Sequence, residues 1–422
     1  HLNHLLLIVV LPCNMSAFAT EIRVLADMQN KEWLSELFKK PVVSFDTIDM
    51  SGAGGLNASM AKLVITFEDG SVTSAVAKTI PEARWPACKN LGQPRECLFY
   101  ERFADILDVT TPKAYFTNGN MDTGVKLLLL EDLSDCIQSG YFFGSHSPLN
   151  WGKDLDLLTS SATNITNNDI ISNVFSVASK MHAKYWNSKE LGDITFLRCN
   201  DWQKGDNEKG WAASQAMSVN SWTTIKTTFT NGNPTIEWDP ELVRIIDASL
   251  NKISWKEFST RKLAMTDAYT LVHGDFHPGN MMYRPTTKEI AIVDWEQVGI
   301  GSGAQDLAQF MISHTTPSDR KTLEIKHLQQ YYSDLCANHL KYHGIELTGY
   351  SLDDCFKEFV FGGLERWIWL LVFICGMPSI PPPVAQTFHK AVSQFYHDYS
   401  SPTEGFDSGI IVNIDTIGMP RV

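Results

Sequence analysis

The sequence predicts an α+β fold in two lobes. Apolar runs rich in β-branched residues fill the amino-terminal portion, and Glu68-Asp69-Gly70 is a hairpin signal between the runs 60–67 and 71–80. Beyond Ser134 the apolar positions recur at helical spacing, as in 169–186 and 323–343. One short β pattern, 281–294, interrupts the helices. The change of character at 132–134 divides the chain into an amino-terminal lobe, 15–133, and a carboxy-terminal helical lobe, 134–422.

Each element has a local reason. Residues 30–40, "NKEWLSELFKK", form an amphipathic pattern stopped by Pro41. The runs "MAKLVITF" and "SVTSAVAKTI" are the hairpin strands, a helix spans 95–107, and "GVKLLLLEDL" is a buried strand that closes the section. Residues 205–234 are polar and punctuated by Trp, which predicts a surface excursion. The apolar run 367–375 falls far short of the roughly 20 residues that cross a bilayer. Preceded by Glu365 and Arg366, it predicts a buried helix, so no membrane span is expected.

The amino end, "HLNHLLLIVVLPCNMSAFAT", carries an apolar core without the basic flank of a signal peptide. Met15 reads as a start, with 1–14 a non-native or untranslated leader.

Composition narrows the class. The net charge of −13 opposes nucleic-acid binding, which calls for a basic excess. Eight scattered cysteines without a C-x-x-C pair exclude a zinc knuckle or dithiol motif and predict free thiols in a reducing, cytoplasmic setting.

The chemistry concentrates in 271–283, "LVHGDFHPGNMMY". Asp275 and Asn280 have the spacing at which a kinase catalytic loop carries its base and its metal-binding amide. A carboxylate there orients an acceptor hydroxyl and takes its proton, while the amide oxygen helps to hold Mg²⁺. A second metal carboxylate is expected at Asp294, which ends the apolar strand of "EIAIVDWEQ". With 281–284 as antiparallel partner and 285–289 as the turn, Asn280 is expected opposite Asp294, where cross-strand neighbours approach within about 5.5 Å. Magnesium takes few protein oxygens and keeps several waters, so two ligands suffice.

Lys78 ends a strand in "SAVAKTIP", placed as a phosphate-reaching lysine would be. Glu96 heads an aromatic stripe with Phe99, Tyr100 and Phe103, so it points inward and requires a cationic partner, for which Lys78 is the candidate.

These motifs resemble the aminoglycoside phosphotransferase and choline kinase superfamily, in particular its CHK kinase-like, or ecdysteroid kinase-like, branch. "LVHGDFHPGNMMY" and "IAIVDWEQVGIGSGAQDLAQF" carry the likeness, and "VAKTIP", "RECLFYERF", "LLLLEDLSD" and "ASKMHAKYW" occur in matching order, from 37 to 399. The resemblance implies a bilobal protein kinase-like fold with its site in the cleft, using ATP and Mg²⁺ to phosphorylate a hydroxyl of a small molecule. It makes Asp275 the base, Asn280 and Asp294 the metal ligands, Lys78 the contact to ATP phosphates and Glu96 its brace. Backbone around Leu130, Glu131 and Leu133 would read adenine. Gly52, Gly54 and Gly55 in "SGAGGLNAS" would form the phosphate-covering loop, a loose match. His277 stands where many branch members carry Trp.

Blander readings accompany the rest. His273 buttresses the loop, His182 is a satisfied core histidine, and Asp306 caps its helix or braces the catalytic loop. Trp295, Trp367 and Trp369 could cage a quaternary ammonium, with core packing the favoured role. Two other functions stay open at this point. One is a metal-dependent hydrolase built on His273, Asp275 and His277. The other is a kinase-like binding protein that no longer transfers phosphate. The acceptor itself, whether choline-like, aminoglycoside-like, steroid or sugar alcohol, is not chosen by fold.

Overall fold

The computed structural model describes residues 22–50, 59–198, 208–232, 235–252, 255–256 and 268–400. The leader 1–14 and the glycines Gly52, Gly54 and Gly55 lie outside them. Packing divides the chain into two units, the first of residues 1–89 with 113–132 and the second of 90–112 with 133–422.

The first unit is a five-stranded antiparallel sheet of β1 (Val42–Asp49), β2 (Ser59–Phe67), β3 (Val72–Thr79), β4 (Ala114–Gly119) and β5 (Lys126–Glu131). The strand order is β1-β2-β3-β5-β4. β2 buries Ala61, Leu63, Ile65 and Phe67 on one face, the period-two signature of a half-covered strand. β5 lies in the sheet interior and buries Lys126 and the apolar run Leu127–Leu130, with Glu131 half-buried at its end. The helix Lys31–Phe38 starts as predicted, with Asn30 accepting the Trp33 N–H at 2.9 Å, and ends at Lys39 in a left-handed conformation. Trp33 from this helix meets Phe116 edge-on at 5.2 Å, closing a core with Leu63, Ile65, Leu127 and Leu129. The predicted hairpin turns at Glu68–Gly70, where Gly70 adopts φ +79°. Asp69 there accepts the Ser71 N–H and pairs with Lys40 at 2.6 Å, and those bonds lower its carboxyl to about 2.

The second unit is mainly helical. Asn167–Lys184 packs along Pro317–His343, and Gly303–His314 packs along Leu352–Gly376. The ends are chemically marked. Thr166 and Ser351 each make a capping box, Pro317 occupies a first helical turn, and Gly344 ends that helix at φ +70°. Two small sheets interrupt the helices. One orders β6 (Ile137–Gln138), β8 (Met281–Arg284) and β9 (Glu289–Ile292), and the other pairs β7 (Tyr269–Val272) with β10 (Gly299–Ser302).

Three elements differ from expectation. Residues 208–230 are a helix of 23 residues rather than a surface excursion. Its Ser, Thr and Asn content hides the pattern, but Trp211, Trp222 and Ile225 are buried along it. The helix expected over 95–107 ends at Arg102, with Phe103 as its C-cap. The apolar run 367–375 belongs to a 25-residue helix, Leu352–Gly376, which is long and apolar enough to cross a membrane. Two-thirds of its apolar window (67%) is buried inside the protein, as in a core helix of a globular fold. Among the described residues Cys88, Cys97, Cys136, Cys336, Cys355 and Cys375 are free thiols.

Candidate active site

The catalytic-loop motif leaves β7 and enters β8 through a short 3₁₀ turn, Pro278–Asn280. At Gly274 the backbone takes φ +77°, and a Cβ there would lie 2.3 Å from the Gln297 carbonyl oxygen. Only glycine lets the loop pass so close to the turn that follows Asp294.

Two buried side chains hold the loop's first residues. Asp306, near the start of Gly303–His314, accepts the backbone N–H groups of His273 at 2.8 Å and of Gly274 at 3.1 Å. The Asp275 N–H donates to His273 Nδ1 at 3.2 Å, so the ring carries its proton on Nε2, which meets the Val293 carbonyl at 2.9 Å. Burial lowers the His273 pKa, against the pull of Asp306 and Asp275, and keeps the ring neutral. His273 is thus a buttress with both nitrogens committed to backbone, and it has no lone pair left for a metal. That removes one of the three ligands the hydrolase reading requires.

The Asp275 carboxylate is 31% exposed and unevenly partnered. Its Oδ1 accepts Gln309 Nε2 at 2.8 Å and Arg366 Nη2 at 3.0 Å. Its Oδ2 has only longer neighbours, Asn280 Nδ2 at 3.4 Å and His277 Nε2 at 3.7 Å. Burial works to raise this carboxyl, but His277, then Arg366 and Gln309, outweigh it and hold it well below the usual carboxylate range. His277 accepts the Gly279 N–H on Nδ1 at 3.1 Å, which leaves its Nε2 protonated and facing Asp275. Its ring lies parallel to that of His314, with centroids 5.8 Å apart. Burial, with His277 and His146 adding to it, pushes the His314 pKa well down.

Asn280 donates Nδ2 to the Asp275 backbone carbonyl at 2.9 Å, which leaves its Oδ1 as the end able to hold a cation. The strand register places Asn280 one step away from expectation. Met281 pairs with Ile292 and Arg284 with Glu289, and the Val293 N–H donates to the Asn280 carbonyl at 3.0 Å. Asn280 therefore faces Val293 rather than Asp294. The reason is the hairpin turn, which spans 285–288 rather than 285–289 and bends through Lys288 at φ +61°; beyond the strand end at Ile292, Asp294 is left-handed as well, φ +66°. Such a backbone at a non-glycine residue is uncommon and clusters at functional sites.

The turn at Asp294 has an effect of its own. In an extended strand Asp294 and Glu296 would share one face but stay far apart, whereas here a 3₁₀ turn over Trp295–Gln297 draws them together. Carboxylate oxygens of Glu96, Asp294 and Glu296 lie within 4.8 Å of one another. This group of hard oxygens suits a divalent cation of the magnesium or calcium type. Asp294 was legible in the sequence. Glu296 was not singled out, although its place two residues after Asp294 was the available signal. Glu96 is buried on the helix Arg95–Arg102 of the second unit, and the ring of Phe99 from the same helix stacks on Trp295 at 3.8 Å. Lys78, its expected partner, lies on β3 of the first unit and is 9% exposed.

In the first unit Leu130 and Glu131 end β5, and Leu133 begins the longer stretch of the second unit. Glu131 accepts the Lys113 N–H at 3.1 Å, and Asp132 accepts Ser74 Oγ at 2.6 Å and pairs with Lys62 at 2.5 Å. The tryptophans take packing roles. Trp295 is fully buried between Phe99 and His273, Trp367 stacks on Phe388, and Trp369 stacks on Phe373. His182 bonds Tyr331 and is wholly buried, as a core histidine.

Residues 222–344 match the model of the ecdysteroid kinase-like family, a stretch that contains the loop and Asp294. No curated protein sequence matches the chain. Among solved structures, a choline kinase from Cryptosporidium parvum Iowa II is 11% identical, with 84% of this chain and 89% of that chain covered at a TM-score of 0.52. The likeness shows a shared kinase-like fold. Two more distant structures are choline kinase LicA from Streptococcus pneumoniae (12% identity, 87% and 97% covered, TM-score 0.41) and macrolide 2'-phosphotransferase MphH from Brachybacterium faecium (14%, 88% and 98%, 0.41). The family match and the shared fold bear out the resemblance that the motifs carry, and with it the α+β kinase-like class.

Proposed function

We propose that this protein is an ATP- and Mg²⁺-dependent phosphotransferase that moves the γ-phosphate to a hydroxyl of a small molecule. The observation that carries the reading is the geometry of Asp275: Oδ1 is pinned by Gln309 and Arg366, while Oδ2 has only the longer neighbours Asn280 and His277. Phosphoryl transfer asks little covalent work of the protein, so positioning and charge supply most of the rate. Asp275 Oδ2 accepts the hydroxyl hydrogen bond, aims the oxygen at phosphorus, and takes the proton as the oxygen–phosphorus bond forms and the bond to ADP breaks.

Asn280 Oδ1, Asp294 and Glu296 are the oxygens proposed to hold the magnesium. When bound, the ion neutralises charge on the phosphate oxygens. Lys78, Glu96, Leu130, Glu131 and Leu133 keep the nucleotide-binding roles that the resemblance implies. The acceptor class is left to choline-like, aminoglycoside-like, steroid and sugar alcohols.

The test is ADP release from Mg-ATP across a panel of such hydroxyl compounds, with Asp275→Asn as the control. Loss of the carboxylate should lower turnover by about 10²–10⁴-fold while Mg-ATP still raises the melting temperature. Unchanged turnover in Asp275→Asn would sink the assignment. No thermal response to Mg-ATP in the wild type would favour the non-catalytic binding protein instead.

A further inference from the structure

We infer that Arg366 and Gln309 are positioning residues that choose which oxygen of Asp275 meets the acceptor. The inference rests on the phosphotransferase reading and adds two residues to it. Three hydrogen bonds close a ring. Arg366 Nε donates to Gln309 Oε1 at 2.9 Å, Gln309 Nε2 donates to Asp275 Oδ1 at 2.8 Å, and Arg366 Nη2 donates to the same Oδ1 at 3.0 Å.

The ring has only one sense. A guanidinium can only donate, so it claims the oxygen of the Gln309 amide and forces the amide's N–H toward Asp275. Two donors therefore converge on Oδ1, and both come from helices that pack on each other, Gly303–His314 and Leu352–Gly376. Arg366 is 2% exposed and Gln309 3%, so neither side chain has solvent to turn toward. Charge-assisted bonds of this kind are about twice as strong as neutral ones. They fix the carboxylate plane and leave Oδ2, with its looser neighbours at 3.4 and 3.7 Å, as the oxygen that takes the acceptor's proton.

Two variants test this, each checked for folding by circular dichroism and melting. Crystal structures of Arg366→Ala and Gln309→Leu should show the Asp275 carboxylate rotated about its Cβ–Cγ bond. An unmoved carboxylate in both overturns the inference whatever the turnover. With the best acceptor from a panel of choline, kanamycin, inositol and a polyhydroxylated steroid, Arg366→Ala should lower kcat by about 10²-fold, the loss a misplaced reacting group brings. The KM for ATP should stay within about twofold, because the interaction lost is one made in the transition state. Added guanidinium chloride should restore part of the loss, and Arg366→Lys should retain part of the activity.

A kcat within about threefold of wild type, or a loss seen only as a raised KM for ATP, overturns the positioning role. Should Arg366→Ala fail to fold, Gln309→Leu, which removes a neutral group, carries the same comparison. Failure of the broader reading is separate: it shows as wild-type turnover in Asp275→Asn or as no turnover with any acceptor.

Discussion

Asp306 and His273 are joined by a hydrogen bond from the His273 backbone N–H to Asp306 Oδ2 at 2.8 Å, and the neighbouring N–H of Gly274 reaches Oδ1 at 3.1 Å. A side chain on one helix thereby supplies the two acceptors that a loop leaving a strand would lack. Asp306→Ala leaves both donors buried without partners, which costs about 3 kcal/mol of stability. Urea unfolding checks the figure, with turnover falling alongside because the loop loses its anchor. Asp306→Asn keeps one acceptor and should lose roughly half as much.

Gly274 offers a cleaner contrast. Gly274→Ala places a methyl 2.3 Å from the Gln297 carbonyl oxygen on top of a left-handed backbone. The expected loss is above about 3 kcal/mol, or failure to fold. Gly70→Ala has the same sign of φ but open space around it, so its loss is about 1 kcal/mol. Paired melting curves decide whether collision or backbone strain dominates.

Glu296 is the carboxylate that sequence reasoning passed over. Glu296→Gln should raise the magnesium concentration needed for half-maximal ATP turnover by about tenfold, with kcat at saturating magnesium changed less. Asp294→Asn should lose more, both in magnesium requirement and in rate. A magnesium titration that leaves Glu296→Gln on the wild-type curve would remove Glu296 from the ion's proposed ligands.

Buried histidines give the stability a definite pH dependence. His327 has its pKa lowered by burial from 6.5 to about 4, and its ring bonds Asn168 at 3.1 Å. Between those values the unfolded chain binds a proton that the folded one does not, so stability is full above 6.5 and falls as the pH drops. His273, His314 and His389 are displaced in the same direction. The melting temperature should therefore decline from pH 7 to pH 5, before most carboxylates titrate. His327→Gln should lessen that decline by about 2–4 °C.

Much of this was legible in the sequence because it is local. The β2–β3 turn announces itself through Asp69-Gly70, and the loop through the spacing of Asp275 and Asn280 within two apolar strands. What escaped depends on a backbone angle or on distance along the chain. The register at Asn280 follows from a hairpin turn one residue shorter than expected, left-handed at Lys288, and the approach of Glu296 from the left-handed turn at Asp294, neither of which the residue types advertise. Arg366 stands 91 residues from Asp275 and reads as the polar flank of an apolar run. The helix 208–230 was hidden by Ser, Thr and Asn, whose low propensity is overridden when Trp211, Trp222 and Ile225 are buried.

The stack of Phe99 on Trp295, 3.8 Å apart and 7° from parallel, carries one more meaning. Phe99 shares the helix Arg95–Arg102 with Glu96, and Trp295 lies between Asp294 and Glu296. The stack joins that helix to the turn beside Asp294, a contact worth about 0.5–1.5 kcal/mol beyond the area it buries. The placement of Glu96 and that of Asp294 and Glu296 are therefore set together, by apolar packing as well as by charge.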